Sequence, residues 1–331
     1  MLALIALPRS IGAQESKPLR AGIIGLDTSH AIAFTNALNK GPKKPEDKEK
    51  VAGVVVVAAY PQGSRDILSS TQRVPEYTEK IKSLGVEIVD SIESLLKRVD
   101  VVLLESNDGR VHLEQLRPVL DAGKPVFIDK PIAGNLVDVV RILDAIKKAN
   151  VPCFCSSSLR FGKLTQEVQK GSIGTVKSAE TYSAATMEPT HVDLYWYGVH
   201  GCEALFTVMG TGCISAKRGS TDDGKIEVIG TWPNGRTGIF RESNTTDRKG
   251  YGGHAIGEKG HSDIGSYDSY DVLLVEIVKM FREGVIPVSP EETLELYAFM
   301  EAADESKRRG GAEVTLKEVL DKARAAVALA P

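Results

Sequence analysis

Arg20-Ala-Gly-Ile-Ile-Gly25, a helical stretch from Ala31 to Asn39, and then Val51-Ala-Gly-Val-Val-Val-Val-Ala-Ala-Tyr60 read as strand, helix, strand. The second run is apolar at odd and even positions alike, which is how a strand reads when both of its faces are covered, as in a parallel sheet. The same texture returns at Val86-Glu-Ile-Val89, at Val99-Asp-Val-Val-Leu-Leu104, in a helix from His112 to Asp121, and at Pro125-Val-Phe-Ile-Asp129. Strands alternating with helices predict a doubly wound α/β domain whose ligand cleft lies at the carboxyl ends of the strands. Lys40 to Lys50 mixes nearly balanced charges with one Gly and two Pro, and reads as a solvated loop.

Near Val151 the texture changes. Val176-Lys-Ser-Ala-Glu-Thr-Tyr182, Lys225-Ile-Glu-Val-Ile-Gly-Thr-Trp232 and Thr237-Gly-Ile-Phe-Arg241 follow one another with turns between, predicting an α/β domain with a largely antiparallel open sheet. Two helices are expected after it. One carries Leu273, Ile277, Met280 and Phe281 as a core-facing stripe, and the other runs from Glu291 to about Arg309 after Pro290. The polar, Gly-rich segment from Ser243 to Ser269 is long for a loop and reads as a lid, an oligomer contact or a plain surface excursion. The expected organisation is therefore an N-terminal extension or signal remnant (1–18), a nucleotide-type domain (19–150) and a substrate and oligomerisation domain (151–331).

A length of 331 residues fits two domains. With 42% apolar and 26% charged residues, disordered and membrane-spanning classes are excluded. A net charge of −3 offers no positive field for nucleic acid or an anionic membrane, so the expected partner is a small molecule. Cys153, Cys155, Cys202 and Cys213 contain no C-x-x-C pair and are too few for a disulfide scaffold. Met1 to Leu7 is an apolar run, and Ile11-Gly-Ala13 has the small-residue form of a signal peptidase site. An exported, periplasmic protein is expected on that ground, with a cytoplasmic one as the alternative.

The strand Gly22-Ile-Ile-Gly25, the strand that runs into Ser106-Asn107 and His112, the tripeptide Asp129-Lys130-Pro131, then Arg160-Phe161, Ile173-Gly-Thr-Val176 and His200 resemble in combination the glucose-fructose oxidoreductase and inositol dehydrogenase (Gfo/Idh/MocA) family. The resemblance covers nearly the whole chain after Leu19. It implies an N-terminal Rossmann domain binding NAD or NADP, a second domain carrying substrate and often an oligomer interface, and hydride transfer at a hydroxyl carbon of a sugar or polyol. A homo-dimer or tetramer is expected accordingly. Lys130 takes the family's catalytic lysine position, with His200 as its partner in proton transfer. A strand-end lysine beside a histidine in a desolvated cleft suits that chemistry. The resemblance also points to Gly25, Ser106, Asn107, His112 and Asp129 around the cofactor, and to Arg160 around the substrate.

Several positions depart from the family pattern. Gly25-Leu-Asp27-Thr-Ser-His30 keeps only the first glycine of G-x-G-x-x-G, and Asp27 would set a carboxylate near a diphosphate. Asp27, Thr28 and Ser29 can serve simply as helix caps; alternatively the segment through His30 points into the cleft and binds cofactor or substrate. Tyr60-Pro-Gln-Gly-Ser64-Arg65 replaces the acidic residue that holds a ribose, and Ser64 with Arg65 would suit a 2′-phosphate. Trp196 stands four residues before His200, where the family commonly has Asp. Asp193, seven residues before, restores the same face if the segment is helical throughout. Trp196 and Tyr197 can stack on a sugar. His191, Asp193, His200 and Glu203 are metal-ligand types at a spacing that matches no established motif, so no metal is expected. The alternatives to a net oxidoreductase are an epimerase, lyase or glycosidase with tightly held NAD, and a sugar-binding protein that has lost the cofactor.

Overall fold

The computed structural model describes residues 17–329; the signal-like stretch at 1–13 lies outside them. The first sheet contains β1 (Leu19–Ile24), β2 (Val54–Tyr60), β3 (Glu87–Ile88), β4 (Val101–Leu104), β5 (Val126–Ile128) and β6 (Cys153–Cys155). All pairings are parallel, in the order β3-β2-β1-β4-β5-β6. This is the strand order of a Rossmann sheet, with its switch point between β1 and β4. The sheet takes in Cys153–Cys155, beyond the texture change at Val151.

Five helices connect these strands: α1 (Ser29–Lys40), α2 (Leu68–Ser83), α3 (Ile92–Leu96), α4 (His112–Asp121) and α5 (Leu136–Ala149). Each reason for their placement is local. Thr28 caps α1, Asn135 caps α5 by accepting from the Asp138 N–H at 2.9 Å, and Asn150, in the left-handed region, ends α5. The sequence reading contains no helix over α2. Only Ser70 and Ile81 are buried on it and Pro75 interrupts it, so it has no apolar stripe to read.

The second domain follows with α6 (Lys163–Gln169), β7 (Val176–Ser183), α7 (Asp193–Trp196), α8 (Val199–Met209), β8 (Ser215–Ser220), β9 (Ile226–Thr231), β10 (Thr237–Glu242), β11 (Gly252–Gly257), β12 (Gly260–Asp263), α9 (Asp271–Glu283), α10 (Pro290–Arg308), β13 (Val314–Thr315) and α11 (Leu316–Leu329). Its seven strands run β12-β11-β7-β10-β9-β8-β13, antiparallel except for the β7–β10 pair. The segment from Ser243 to Ser269, expected as a loop, contains the β11–β12 hairpin, which pairs with β7 and extends the sheet. Its alternation places Gly and polar residues at most positions, which hides a strand signal. The fully buried helix α8 lies on this sheet. Gly201 permits the approach, since a Cβ there would stand 2.6 Å from the Phe240 ring.

The chain does not stay in its domains. Leu273, Leu274, Ile277, Val278, Met280 and Phe281 of α9 share one core with Ala21 and Ile23 of β1 and Phe34 of α1, so a late helix covers one face of the first sheet. On the other face, α4 and α5 join a second core that runs on through α8, α10 and α11. Core residues of both sheets thus pack around elements from either half of the chain. No helix among the described residues is long and apolar enough to cross a membrane.

Candidate active site

The carboxyl ends of β1, β4 and β5 converge on this cleft. Gly25 leaves β1 at φ +92°, and a Cβ on it would stand 2.4 Å from the Ser106 amide after β4, so only glycine lets the two strand ends approach. The resulting cavity measures about 620 Å³. It is lined by Thr28, Ser29 and His30 of the first turn, Gln72 and Arg73 of α2, Asn107 and Lys130, together with Trp196, Tyr197, His200, Tyr251, Tyr267 and Tyr270.

Lys130 is 7% exposed, and its Nζ lies 5.6 Å from the centre of the Tyr197 ring, a cation–π approach. The Tyr197 and His200 rings meet edge to face at 5.2 Å. His200 Nδ1 is hydrogen-bonded to Ser157 Oγ at 2.7 Å, which fixes the ring and leaves Nε2 for the cleft. Burial, with the Lys130 and His30 charges beside it, holds His200 well below the ordinary histidine range, so its ring is neutral at neutral pH. Lys130 and His200, matched from sequence, are thus brought together from two domains.

The first-turn residues divide. Thr28 is a cap, its Oγ1 accepting from the His30 N–H at 3.4 Å. Asp27 does not point into the cleft: it is fully buried, with Oδ2 accepting from Ser70 Oγ at 2.6 Å and Oδ1 from the Asn107 N–H at 2.8 Å. Burial pushes its carboxyl up despite those two donors. The carboxylate expected to repel a diphosphate is therefore turned away. The start of α1 faces the cleft with Arg73 beside it, an arrangement that fits an anionic diphosphate. His30 turns inward, its Nδ1 2.7 Å from Asp129 Oδ2, with its ring edge to face on Tyr270 at 4.4 Å. Burial drives the Asp129 carboxyl up, but the His30 and Lys130 charges outweigh it and hold it below the ordinary carboxylate range.

Other expected residues serve structure. Asp193 does not share a face with His200, because the backbone breaks at Tyr197 and Gly198 between α7 and α8; its Oδ2 instead meets Arg218 Nη1 and Lys307 Nζ, each at 2.7 Å. Arg160 does not reach the cleft. It is 1% exposed, with Nε donating to Glu203 Oε1 at 2.7 Å and Nη1 2.6 Å from Glu292 Oε1 as an ion pair without hydrogen-bond alignment. His112 is fully buried and ties Ser106 O, at 2.7 Å, to Ile132 O, at 3.1 Å, which shapes the loops around the site without facing it. Ser106 is buried against Gly25. Ser64 Oγ donates to Asp108 Oδ2, and Arg65 is exposed and does not line the cavity. His191 lies 3.3 Å from Asp108 Oδ1, so His191, Asp193, His200 and Glu203 take separate partners.

Sequence reasoning missed Arg73, Gln72, the tyrosines at 251, 267 and 270, and Glu105. The tyrosines come from the segment read as a loop and from the start of α9, and only folding gathers them.

Residues 19–157 match the family described as "Oxidoreductase family, NAD-binding Rossmann fold" (Gfo/Idh/MocA). A myo-inositol 2-dehydrogenase from Thermotoga maritima is 39% identical over 80 residues, 23% of this chain and 24% of that protein. An inositol 2-dehydrogenase from Gluconacetobacter diazotrophicus is 39% identical over 59 residues, 18% of each chain. The matches thus span a quarter or less of these curated relatives. A solved structure of a probable dehydrogenase from Thermotoga maritima superposes over 91% of this chain and 100% of its own, with TM-score 0.69 and 23% identity. A scyllo-inositol dehydrogenase from Lactobacillus casei, solved with NAD(H) and scyllo-inositol, does so over 91% and 100%, with TM-score 0.69 and 16% identity. At these identities the superpositions show a shared two-domain fold.

Proposed function

We propose, from the membership of residues 19–157 in the Gfo/Idh/MocA oxidoreductase family, that this protein is an NAD-dependent dehydrogenase acting on a hydroxyl carbon of a polyol or sugar. The observation that carries the reading is the meeting of Lys130 and His200 in one cleft with the N-terminus of α1. When bound, the dinucleotide supplies the hydride acceptor. Thr28, Ser29 and Arg73 would hold its diphosphate. NAD fits better than NADP, because a 2′-phosphate arriving at Ser64 would meet the Asp108 carboxylate that Ser64 already engages.

Hydride departure requires a base for the hydroxyl proton. His200, kept neutral by burial, accepts it, while the Lys130 ammonium orients the hydroxyl and favours the developing alkoxide. Trp196 and Tyr197 offer aromatic faces for the apolar side of a ring substrate. The relatives' inositols make cyclic polyols the first substrates to test. Mass spectrometry of the denatured protein for released dinucleotide, titration with NAD+ and NADP+, and a polyol panel read at the nicotinamide absorbance test the reading. Absence of bound cofactor, together with no binding at millimolar dinucleotide, overturns it. A homo-oligomer through the open face of the second sheet, where Ile229, Ile239 and Ile256 remain half-buried or exposed, belongs to the same proposal; light scattering behind size exclusion reads it directly.

A further inference from the structure

Proton transfer between Lys130, His200 and substrate leaves one buried group unused. Glu105 follows Leu104 at the carboxyl end of β4, is 0% exposed, and has no hydrogen-bond donor on either carboxylate oxygen. A buried carboxylate so placed requires a compensating cation or its own proton. No basic side chain among the described residues bonds to it: Lys130 Nζ lies over the Tyr197 ring, His30 Nδ1 is on Asp129, and Arg160 is committed to Glu203 and Glu292. Beside Glu105 stand His30 and Asp129, both buried, and one ligand atom from each of the three lies within 4.8 Å of the other two.

We propose that His30, Glu105 and Asp129 form a binding site for one divalent transition-metal cation of the zinc class. The ligand set is one imidazole and two carboxylates, which suits zinc, cobalt, manganese or ferrous iron better than a calcium cage or a thiolate centre. Two carboxylates balance the cation's charge, and the metal supplies the partner that Glu105 lacks. Metal–ligand bonds of about 2.0–2.2 Å put tetrahedral ligand atoms roughly 3.3–3.6 Å apart, within the spread of these three groups. The His30 Nδ1–Asp129 Oδ2 hydrogen bond of 2.7 Å is shorter than that edge, so binding exchanges this bond for two bonds to the metal. Three protein ligands leave a position free, as in catalytic rather than structural zinc sites. Of the three, His30 lines the cleft, so the free position belongs on that side. One departure from the family pattern then has a cause. His30 stands where the third glycine of the phosphate turn belongs, and its side chain fills that space as a ligand.

The site is tested without reference to any dehydrogenase activity. Full-length protein purified without a polyhistidine tag is expected to carry about one equivalent of metal by inductively coupled plasma mass spectrometry, as a three-ligand zinc site does. After stripping with a chelator, Co2+ should bind saturably with visible d–d absorption and be displaced by Zn2+. Glu105→Gln and His30→Asn should each weaken Co2+ binding by more than about tenfold while the far-UV circular dichroism stays unchanged. Metal-free wild-type protein that shows no saturable Co2+ or Zn2+ binding at millimolar concentration overturns the site. Unaltered affinity in both folded variants does so as well. Should neither variant fold, the wild-type Co2+ spectrum decides, since an octahedral all-oxygen spectrum without an imidazole ligand contradicts the assignment.

Discussion

Glu105 and Glu203 are both buried carboxylates, and they are opposites. Glu203, on α8, is fully satisfied: Oε1 accepts from Arg160 Nε at 2.7 Å and also from Ser156 Oγ, and Oε2 accepts from the Ser157 N–H at 2.7 Å. Glu105, after β4, accepts nothing. Burial pushes both carboxyls up, yet for Glu203 the Arg160 charge and three donors oppose the shift, whereas for Glu105 Asp129 adds to it and only Lys130 opposes. A saturated buried carboxylate pins elements together. An unsaturated one is a place for something the chain itself does not provide.

The contrast can be broken in order of size. Lys130→Ala removes the cation at the strand end and is expected to lower kcat/KM by about 10²–10⁴-fold with the melting temperature nearly unchanged; retention of most activity removes Lys130 from the chemistry. Glu203→Leu leaves the Arg160 guanidinium buried beside Glu292 alone, and should cost about 3–5 kcal/mol in urea unfolding. A loss below about 1 kcal/mol would show that Glu203 is not the pin its contacts imply.

The pH response follows from His200, whose surroundings are Lys130, His30 and Asp129 on the first domain and Ser157, Tyr197 and Tyr251 around the ring. Its folded pKa is depressed, so the unfolded chain binds its proton first. This contribution to stability is present above about pH 6.5 and lost as pH falls through the window below it. His200→Gln should flatten that part of the stability profile, and an identical slope in the variant contradicts the assignment. The smallest effect belongs to Glu105→Gln. With no donor to lose, the neutral amide should change metal-free stability by less than about 1 kcal/mol, against the several lost at Glu203. Equal losses at the two sites would erase the distinction between them.

Much of the fold was legible because its signals are local. The strands at Val54–Tyr60, Val101–Leu104 and Val126–Ile128 are continuous apolar runs, and α4 spans His112–Asp121 as its pattern requires. Elements were missed where side chains carry no periodic apolar signal: α2, with two buried residues, and the β11–β12 hairpin, rich in glycine. The site was legible in part. Lys130 and His200, expected from their places in a family pattern, line one cavity, whereas Arg160 and Asp193, expected beside them, are held by Glu203 and Arg218 because sequence shows their charge and not their partners.

The sequence by itself determined the parallel sheet, the strand-end position of Lys130 and the loss of two glycines from the phosphate turn, since each depends on residues adjacent along the chain. Tertiary structure decided the rest. It turned Asp27 inward onto Ser70 and Asn107, took Arg160 for Glu203, and brought His30 from the first turn of α1 together with Glu105 and Asp129 from the ends of β4 and β5. Those outcomes depend on which groups meet across the fold, and the free energy of a buried charge is set by what it meets there.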